Sequence, residues 1–518
     1  MAETSVYGGL IKPSSGSVVH LPRNIVGQVF IPNGTSNVQF VAHPLGTVID
    51  ASGVTTAPGF QIGVGDANTQ PASFDGSFQA VTWVDEDTFS VGSTGTWAQG
   101  HYLWIYPASS GTTALTGSST GWPIGGFLAK IAGISGLNVT ISSPMPSGFH
   151  ANFQGLFAGW ACTRVAAPCQ SISIHGSLVV RGSNVGGTSG TPCGISAYMV
   201  DGLTIDHSGG DSCYAQGIYI ARCINVVGDN LHSRNGGNSA SGSGYLLEVK
   251  GCKDVVIRNV FSDHGRGCTI DTGGYGITIE NMTGRRLRSA IIDWHEGVGY
   301  GITWRKVVQM VDGADYDSTN IQTGNSAHRN AVRGLTIEDS RVGSIQIPNN
   351  TEVTIKNTKF NLLQFLPETP FLSFLGNTKV TVDGGSDGIN WSTARLQGTL
   401  CAASDIVIKN STFNVGGSAK GLLGSSDASY RLNTGGFNLN LTIQDTSIVN
   451  TQPGIPFVNV HGTGTLTTNF TNFTCTGASG TRTVVSATSM SDGGGTWSGV
   501  TVNGSAVTKA AGQEDATP

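Results

Sequence analysis

Charge is what this chain has least of. Only 28 Lys+Arg and 33 Asp+Glu stand among 518 residues, 12% against the roughly 25% of ordinary soluble domains. Long amphipathic helices, whose outer faces need charge, are therefore excluded as the main element. The net charge is −5, the pI is near 6.1 and there is no polybasic stretch, so neither a nucleic-acid partner nor an anionic lipid surface is expected. No run of 18 apolar residues occurs, so membrane insertion is not expected either. The opening Met1-Ala-Glu-Thr-Ser-Val-Tyr-Gly-Gly9 lacks the basic and apolar regions of a secretory signal, which predicts a soluble chain without Sec export. The nine cysteines are odd in number, scattered, and without a CxxC pair, which excludes a compact disulfide framework and a thiolate metal site; they read as buried small hydrophobes.

Glycine is in excess, at 75 residues, with 18 prolines. Together they stay below the roughly 25–30% of a low-complexity chain, and no three-residue period marks collagen. With 38% hydrophobic residues to fill a core, the composition points to short strands joined by tight turns.

One apolar strand phrase returns along the chain. It reads Gly202-Leu-Thr-Ile205, Asn225-Val-Val-Gly228, Asp254-Val-Val-Ile257, Gly276-Ile-Thr-Ile279, Gly301-Ile-Thr-Trp304, Gly334-Leu-Thr-Ile337, Glu352-Val-Thr-Ile355, Lys379-Val-Thr-Val382, Asp405-Ile-Val-Ile408 and Asn440-Leu-Thr-Ile443. A step in the low twenties is one coil of several short strands, and longer steps are loops inserted at turns. Four residues beyond the first apolar position of the phrase stand Asn230, Asn259, Asn281, Asp339, Asn357, Asn410 and Asp445. Asn and Asp tolerate left-handed backbone and bond neighbouring amides, so one such residue at one corner of each coil predicts a ladder. A sandwich or propeller has no use for it. The pattern predicts an all-β fold, a right-handed parallel β-helix.

The opening coils are expected over residues 1–50. A β insertion that flanks them, carrying Asp85-Glu-Asp-Thr-Phe-Ser-Val91 and Gly100-His-Tyr-Leu-Trp-Ile-Tyr106, is expected over 51–145. The main helix follows over 146–450, and a terminal β region with a disordered tail from Lys509 over 451–518.

The few carboxylates collect in one place. Aligning the strands that precede the phrase gives Gly217-Ile-Tyr-Ile-Ala221, Gly244-Tyr-Leu-Leu-Glu248, Gly267-Cys-Thr-Ile-Asp271 and Ser289-Ala-Ile-Ile-Asp293. Strand alternation turns the fifth residue outward, so Glu248, Asp271 and Asp293 are expected as one column, neighbours about 5 Å apart and the outer pair about 10 Å. Those values bracket the carboxylate separations of retaining and inverting glycosidases, and like charges so stacked raise a pKa as a general acid requires. Trp294, His295, Glu296, His264 and Arg288 lie near in sequence; aromatic rings, His and Arg suit a sugar. Sugar cleavage at this column is one reading. A solvated acidic ladder relieved by Arg285, Arg286 and Arg288 is a second, and a Ca²⁺ site of three carboxylates a third. His207 with Asp206 and Asp211, and His232 with Arg234, read as ordinary surface groups; Asp312, Asp315 and Asp317 read as a loop edging the groove; Cys223 and Cys252 read as a stacked buried pair.

The segments Gly46-Thr-Val-Ile-Asp50, Thr88-Phe-Ser-Val91, Leu103-Trp-Ile105 and Ala129-Lys-Ile131, with the Leu-Thr-Ile/Asn coils, resemble the pectin-lyase-like β-helix superfamily, and within it bacteriophage tailspike depolymerases. The resemblance implies a homotrimer on a virion tail, outside the cell, that binds and cleaves a bacterial surface polysaccharide, capsule or O-antigen, with paired carboxylates. The polygalacturonase motifs of the superfamily are not intact: Asp263-His-Gly-Arg266 and Ile270-Asp-Thr272 depart from them. The helical head-binding region of many tailspikes is not found at this N-terminus, which predicts a truncated chain or attachment through another protein. The expected activity is endo-hydrolysis through Glu248, Asp271 and Asp293 without a cofactor. The alternatives are a polysaccharide lyase of the same fold using Ca²⁺ and a non-catalytic glycan-binding adhesin.

Overall fold

In the computed structural model the repeat phrases stack as parallel strands, in two compact units, Met1–Ser318 and Thr319–Pro518. The structure describes residues 6–54, 57–65, 70–75, 77–116, 123–182, 193–236, 244–287, 290–294 and 297–310 of the first unit. In the second it describes 321–322, 330–342, 344–348, 351–360, 362–366, 378–384, 389–391, 395–399, 403–415, 432–450, 456–477 and 483–516.

Each coil of the first unit has three faces. Face A carries the repeat phrase, in strands Val200–Asp206, Ile224–Asp229, 252–258, 274–280 and 299–305. Face B follows with Ser208–Asp211, His232–Arg234, 260–263 and 282–285, and face C with Gln216–Ala221, 245–250, 266–271 and Ile292–Trp294. The first apolar residues of the phrase stack directly: Leu203, Val226, Val255, Ile277 and Ile302 in this unit, and Leu335, Val353, Val380, Ile406 and Leu441 in the second. Parallel strands joined by crossovers wind right-handed, and the solenoid is a right-handed parallel β-helix.

The corner ladder is present. Asn230, Asn259 and Asn281 hold φ of 51°, 54° and 57°, and Asp339, Asn357, Asn410 and Asp445 hold 51°, 45°, 51° and 46°. Asn259 Nδ2 donates to Asp229 Oδ1 at 2.7 Å, and Asn281 Nδ2 to Asn259 Oδ1 at 2.6 Å. His207 and Lys306 take the same corner on their coils, with φ of 48° and 53°, so His207 is a turn residue. Cys223 and Cys252 stack inside, the Cys223 amide donating to Cys252 Sγ at 3.4 Å, and burial drives the Cys223 thiol well above its ordinary pKa.

The insertion is a seven-stranded antiparallel sheet running from Phe78 to Val165. A coil strand at Phe60–Ile62 precedes it and Cys169–His175 follows it, so its limits differ from the 51–145 read in the sequence. Strand Gly159–Val165 pairs with both Phe78–Trp83 and Tyr102–Ser110, which draws those residues into the sheet. The sheet rides on the corner between faces C and A. Tyr102 Oη donates to Asp201 Oδ2 at 2.6 Å, Tyr275 Oη to the Gly125 carbonyl at 2.6 Å, and the Arg222 guanidinium lies 4.4 Å from the Trp104 ring centre. At the other end of the chain, residues expected to be disordered form a short helix, Lys509–Gly512, and a strand, Gln513–Ala516, that pairs with Val485–Thr488. That strand supplies the partner the edge would otherwise lack.

Replacing Asn259 with Ala forces a Cβ without a side-chain amide into left-handed backbone, at about 1–2 kcal/mol. Asn259→Ala is expected to lower the thermal midpoint more than Asn259→Gly, which keeps the backbone; an unchanged midpoint in Asn259→Ala would show that the ladder carries no stability.

Candidate functional site

Face C differs in register from the alignment made on the sequence. Glu248 is opposite Tyr219 below and Thr269 above, and Thr269 is opposite Asp293. Asp271 is opposite Lys250. The expected single column of Glu248, Asp271 and Asp293 is therefore two: Glu248–Thr269–Asp293, and Lys250–Asp271 beside it. The slip is two residues. Gly217 and Gly267 do share a column, but the residue between them is Leu246 and not Gly244. Because a slip of two preserves alternation, positions 248, 271 and 293 keep the parity opposite to the core residues Leu247, Ile270 and Ile292.

Glu248 is only 4% exposed. Gln216 Nε2 donates to its Oε2 at 2.5 Å, and the equally buried Lys250 ammonium stands 3.8 Å from Oε1, so the charge is compensated within the protein. Thr269 stands between the positions of Glu248 and Asp293, 1% exposed, and among the described residues its hydroxyl has no hydrogen-bond partner.

Trp294 corrects the sequence reading. It stacks on Ile270 and Val249, has no exposed surface, and its Nε1 donates to the Gly297 carbonyl at 3.3 Å. Alternation puts Trp294 on the same side of the strand as the core residue Ile292, and an indole there cannot stack on a substrate ring. His264 sits at the corner between faces B and C, half-buried with φ of 58°, its amide bonded to the Arg285 carbonyl in the stack Ser212, Asn235, His264, Arg286. Arg288, His295 and Glu296, and the loop aspartates Asp312, Asp315 and Asp317, lie outside the described residues. Among the described residues no three His, Cys, Asp or Glu stand together to hold a metal ion.

Solved structures similar to this chain include three phage tailspikes. The tailspike gp61 of Pseudomonas phage phi297 aligns over 92% of this chain and 71% of its own, with 14% identity and a TM-score of 0.42. The tailspike gp49 of Pseudomonas phage LKA1 covers 94% and 72%, at 12% identity and 0.38. The Gp54 tailspike of Acinetobacter baumannii bacteriophage AP22, solved with an A. baumannii capsular saccharide, covers 93% and 71%, at 13% and 0.35. No protein-family model matches the sequence. No curated protein matches it either.

Face B carries a second constellation. One outward column runs Asp50, Arg181, Asp211, Arg234, Asp263, Arg285, with signs alternating from coil to coil; beside it runs Val48, Val179, Gly209, His232, Phe261. A groove of about 220 Å³ opens where Gly209 interrupts that second column, lined by Val179, Asp211, His232, Arg234 and Phe261. Gly209 is obligatory, since a Cβ there would meet the His232 carbonyl oxygen at 1.4 Å. The sequence reading sets Asp211 with His207 and Asp206, and His232 with Arg234, as ordinary surface groups; the coil step that brings Asp211 beside Arg234 is the available signal. Burial tends to raise the Asp211 pKa, but hydrogen bonds from Asn235 Nδ2 and Ser212 Oγ and the charge of Arg234 outweigh it and hold it below its ordinary 3.8. Burial depresses His232, with Arg234 and His207 acting in the same direction, so the ring is neutral at pH 7.

A depressed carboxylate stabilises the fold above its unfolded-state pKa and loses that contribution as pH falls through its folded-state value. Asp211→Asn is expected to melt below the native protein at pH 7, with the gap closing as pH falls below the ordinary 3.8 and through the depressed folded-state value. A gap independent of pH would contradict the ionised role of Asp211.

Proposed function

We propose that this chain is a tailspike-like depolymerase, an endo-acting glycoside hydrolase that cleaves a bacterial surface polysaccharide, capsule or O-antigen, with inversion at the outer side of face C. The observation that carries the reading is the register. With strands about 4.8 Å apart and about 3.3 Å per residue, Asp271 stands about 8 Å from both Glu248 and Asp293 at the backbone, and Glu248 about 10 Å from Asp293. At the backbone the two distances to Asp271 fall within the roughly 6.5–9.5 Å that leaves room for a water between two carboxyl groups, the Glu248–Asp293 distance falls just above it, and none is near the roughly 5–5.5 Å of a covalent mechanism.

In this reading Glu248, its charge compensated by Lys250, is the general base, and the unpartnered Thr269 hydroxyl beside it orients the attacking water. Asp271 or Asp293 is the acid that protonates the leaving oxygen. His264, at the corner leading into face C, and Arg288, His295 and Glu296, close in sequence, contact the sugar. Hydrolysis of this kind needs no metal ion. The resemblance drawn on the Leu-Thr-Ile/Asn coils adds a homotrimer on a virion tail, acting outside the cell.

The test is reducing-end release from a panel of bacterial capsules and O-polysaccharides. The native chain is expected to release ends with no ultraviolet-absorbing unsaturated product, and early proton NMR spectra to show the inverted anomer. Asp271→Asn, Asp293→Asn and Glu248→Gln are each expected to lose on the order of 10²-fold or more in rate. Retained configuration would remove the inverting assignment, an unsaturated product would make the chain a lyase, and binding without new ends would make it an adhesin.

A further inference from the structure

Resting on the polysaccharide reading, we infer that the groove on face B is a subsite for an uncharged pyranose residue of the chain being cleaved, seated on the ring of Phe261 and hydrogen-bonded by Arg234 and Asp211.

The groove is built by the fold. Gly209 leaves a notch between Val179 and His232 because the strands approach too closely there for any side chain. Phe261 closes one side with 42% of its surface exposed, on a face whose neighbouring outward positions are mostly charged. An exposed aromatic face next to paired polar groups suits a sugar ring, whose C–H face is apolar and whose rim carries hydroxyls. The Asp211 carboxylate is fixed by Asn235 and Ser212. Arg234 spends one amino group on it at 3.0 Å, and more than half of its side chain is exposed. Among the described residues Asp211 is its only hydrogen-bond partner, which leaves guanidinium N–H groups directed to solvent beside a carboxylate with remaining lone pairs. That combination takes two adjacent hydroxyls, one as donor and one as acceptor.

Charge selects the sugar class. Asp211 and Arg234 neutralise each other and the groove adds no further fixed charge from Val179, Phe261 or the neutral His232 ring. The lining carries one carboxylate, Asp211, and one guanidinium, Arg234, so it offers no net positive charge to a carboxylate-bearing sugar.

Position ties the groove to face C. Three of its residues lie on the coils that carry Glu248 and Asp271: His232 and Arg234 lead into 245–250, and Phe261 into 266–271 across the corner at His264. A glycan lying across that corner would occupy both faces of the same coils.

The full chain is titrated with methyl glycosides of neutral hexoses, 6-deoxyhexoses and N-acetylhexosamines, and with methyl glucuronoside, using saturation-transfer NMR on the sugar protons. Transfer to at least one neutral glycoside is expected, about tenfold weaker affinity in Phe261→Ala and in Arg234→Ala, and unchanged transfer in Lys379→Ala, an exposed position of the second unit. Both groove positions are partly exposed, and thermal midpoints check that the variants fold. No transfer to any neutral glycoside, equal transfer in Phe261→Ala, or preference for the glucuronoside would overturn the inference. Cleavage of a polysaccharide with no groove contact would sink the subsite and leave the hydrolase; groove binding with no cleavage would do the reverse.

Discussion

Each strand of this solenoid satisfies its backbone polar groups only by pairing with the coil below and the coil above, about 4.8 Å away. That spacing repeats from coil to coil, so whatever residue type stands at one position on one coil is stacked on its counterparts. Apolar residues become a continuous core, asparagines a corner ladder, and charged residues columns in which sign must alternate or be compensated. Both chemical constellations described above are consequences of that stacking. On face B the signs alternate from Asp50 to Arg285. On face C the carboxylates are separated by Thr269 and flanked by Lys250, and a direct stack of three would be destabilising.

Much of this was legible in the sequence because stacking imposes a period. All ten repeat phrases lie in the register that the Leu-Thr-Ile pattern implies, and every asparagine and aspartate assigned to the corner has left-handed backbone. The phrase and the corner are separated by a fixed four residues, so one fixes the other. Face C had no such clock. Between Lys250 and Cys252 the pairing shifts, with Lys250 opposite Asp271 but Cys252 opposite Gly274, so the distance from face C to the next phrase varies by coil. An alignment of the strand starts Gly217, Gly244, Gly267 and Ser289 therefore falls out of register, with Leu246 and not Gly244 between Gly217 and Gly267.

The error was benign for orientation and consequential for chemistry. A two-residue slip keeps the parity of all three positions, yet changes their backbone separation from about 5 Å to about 8 Å between neighbours. Trp294 was misassigned for a simpler reason. Nearness in sequence to Asp293 was weighed above alternation, which sends successive side chains to opposite sides and buries the indole. The face B groove was invisible residue by residue, because Asp211, His232 and Phe261 are separated by whole coils and meet only through the stack.

The register of face C is thus the claim on which the chemistry turns, and engineered cross-links read it directly. Adjacent residues on neighbouring parallel strands have Cα atoms about 4.8 Å apart, within the roughly 4.4–6.8 Å of a disulfide, whereas a two-residue offset gives about 8 Å. Thr269→Cys paired with Asp293→Cys is expected to oxidise to a disulfide that a mass spectrum detects, and Asp271→Cys paired with Asp293→Cys to remain reduced. A disulfide in the second pair and none in the first would restore the single carboxylate column and contradict the account.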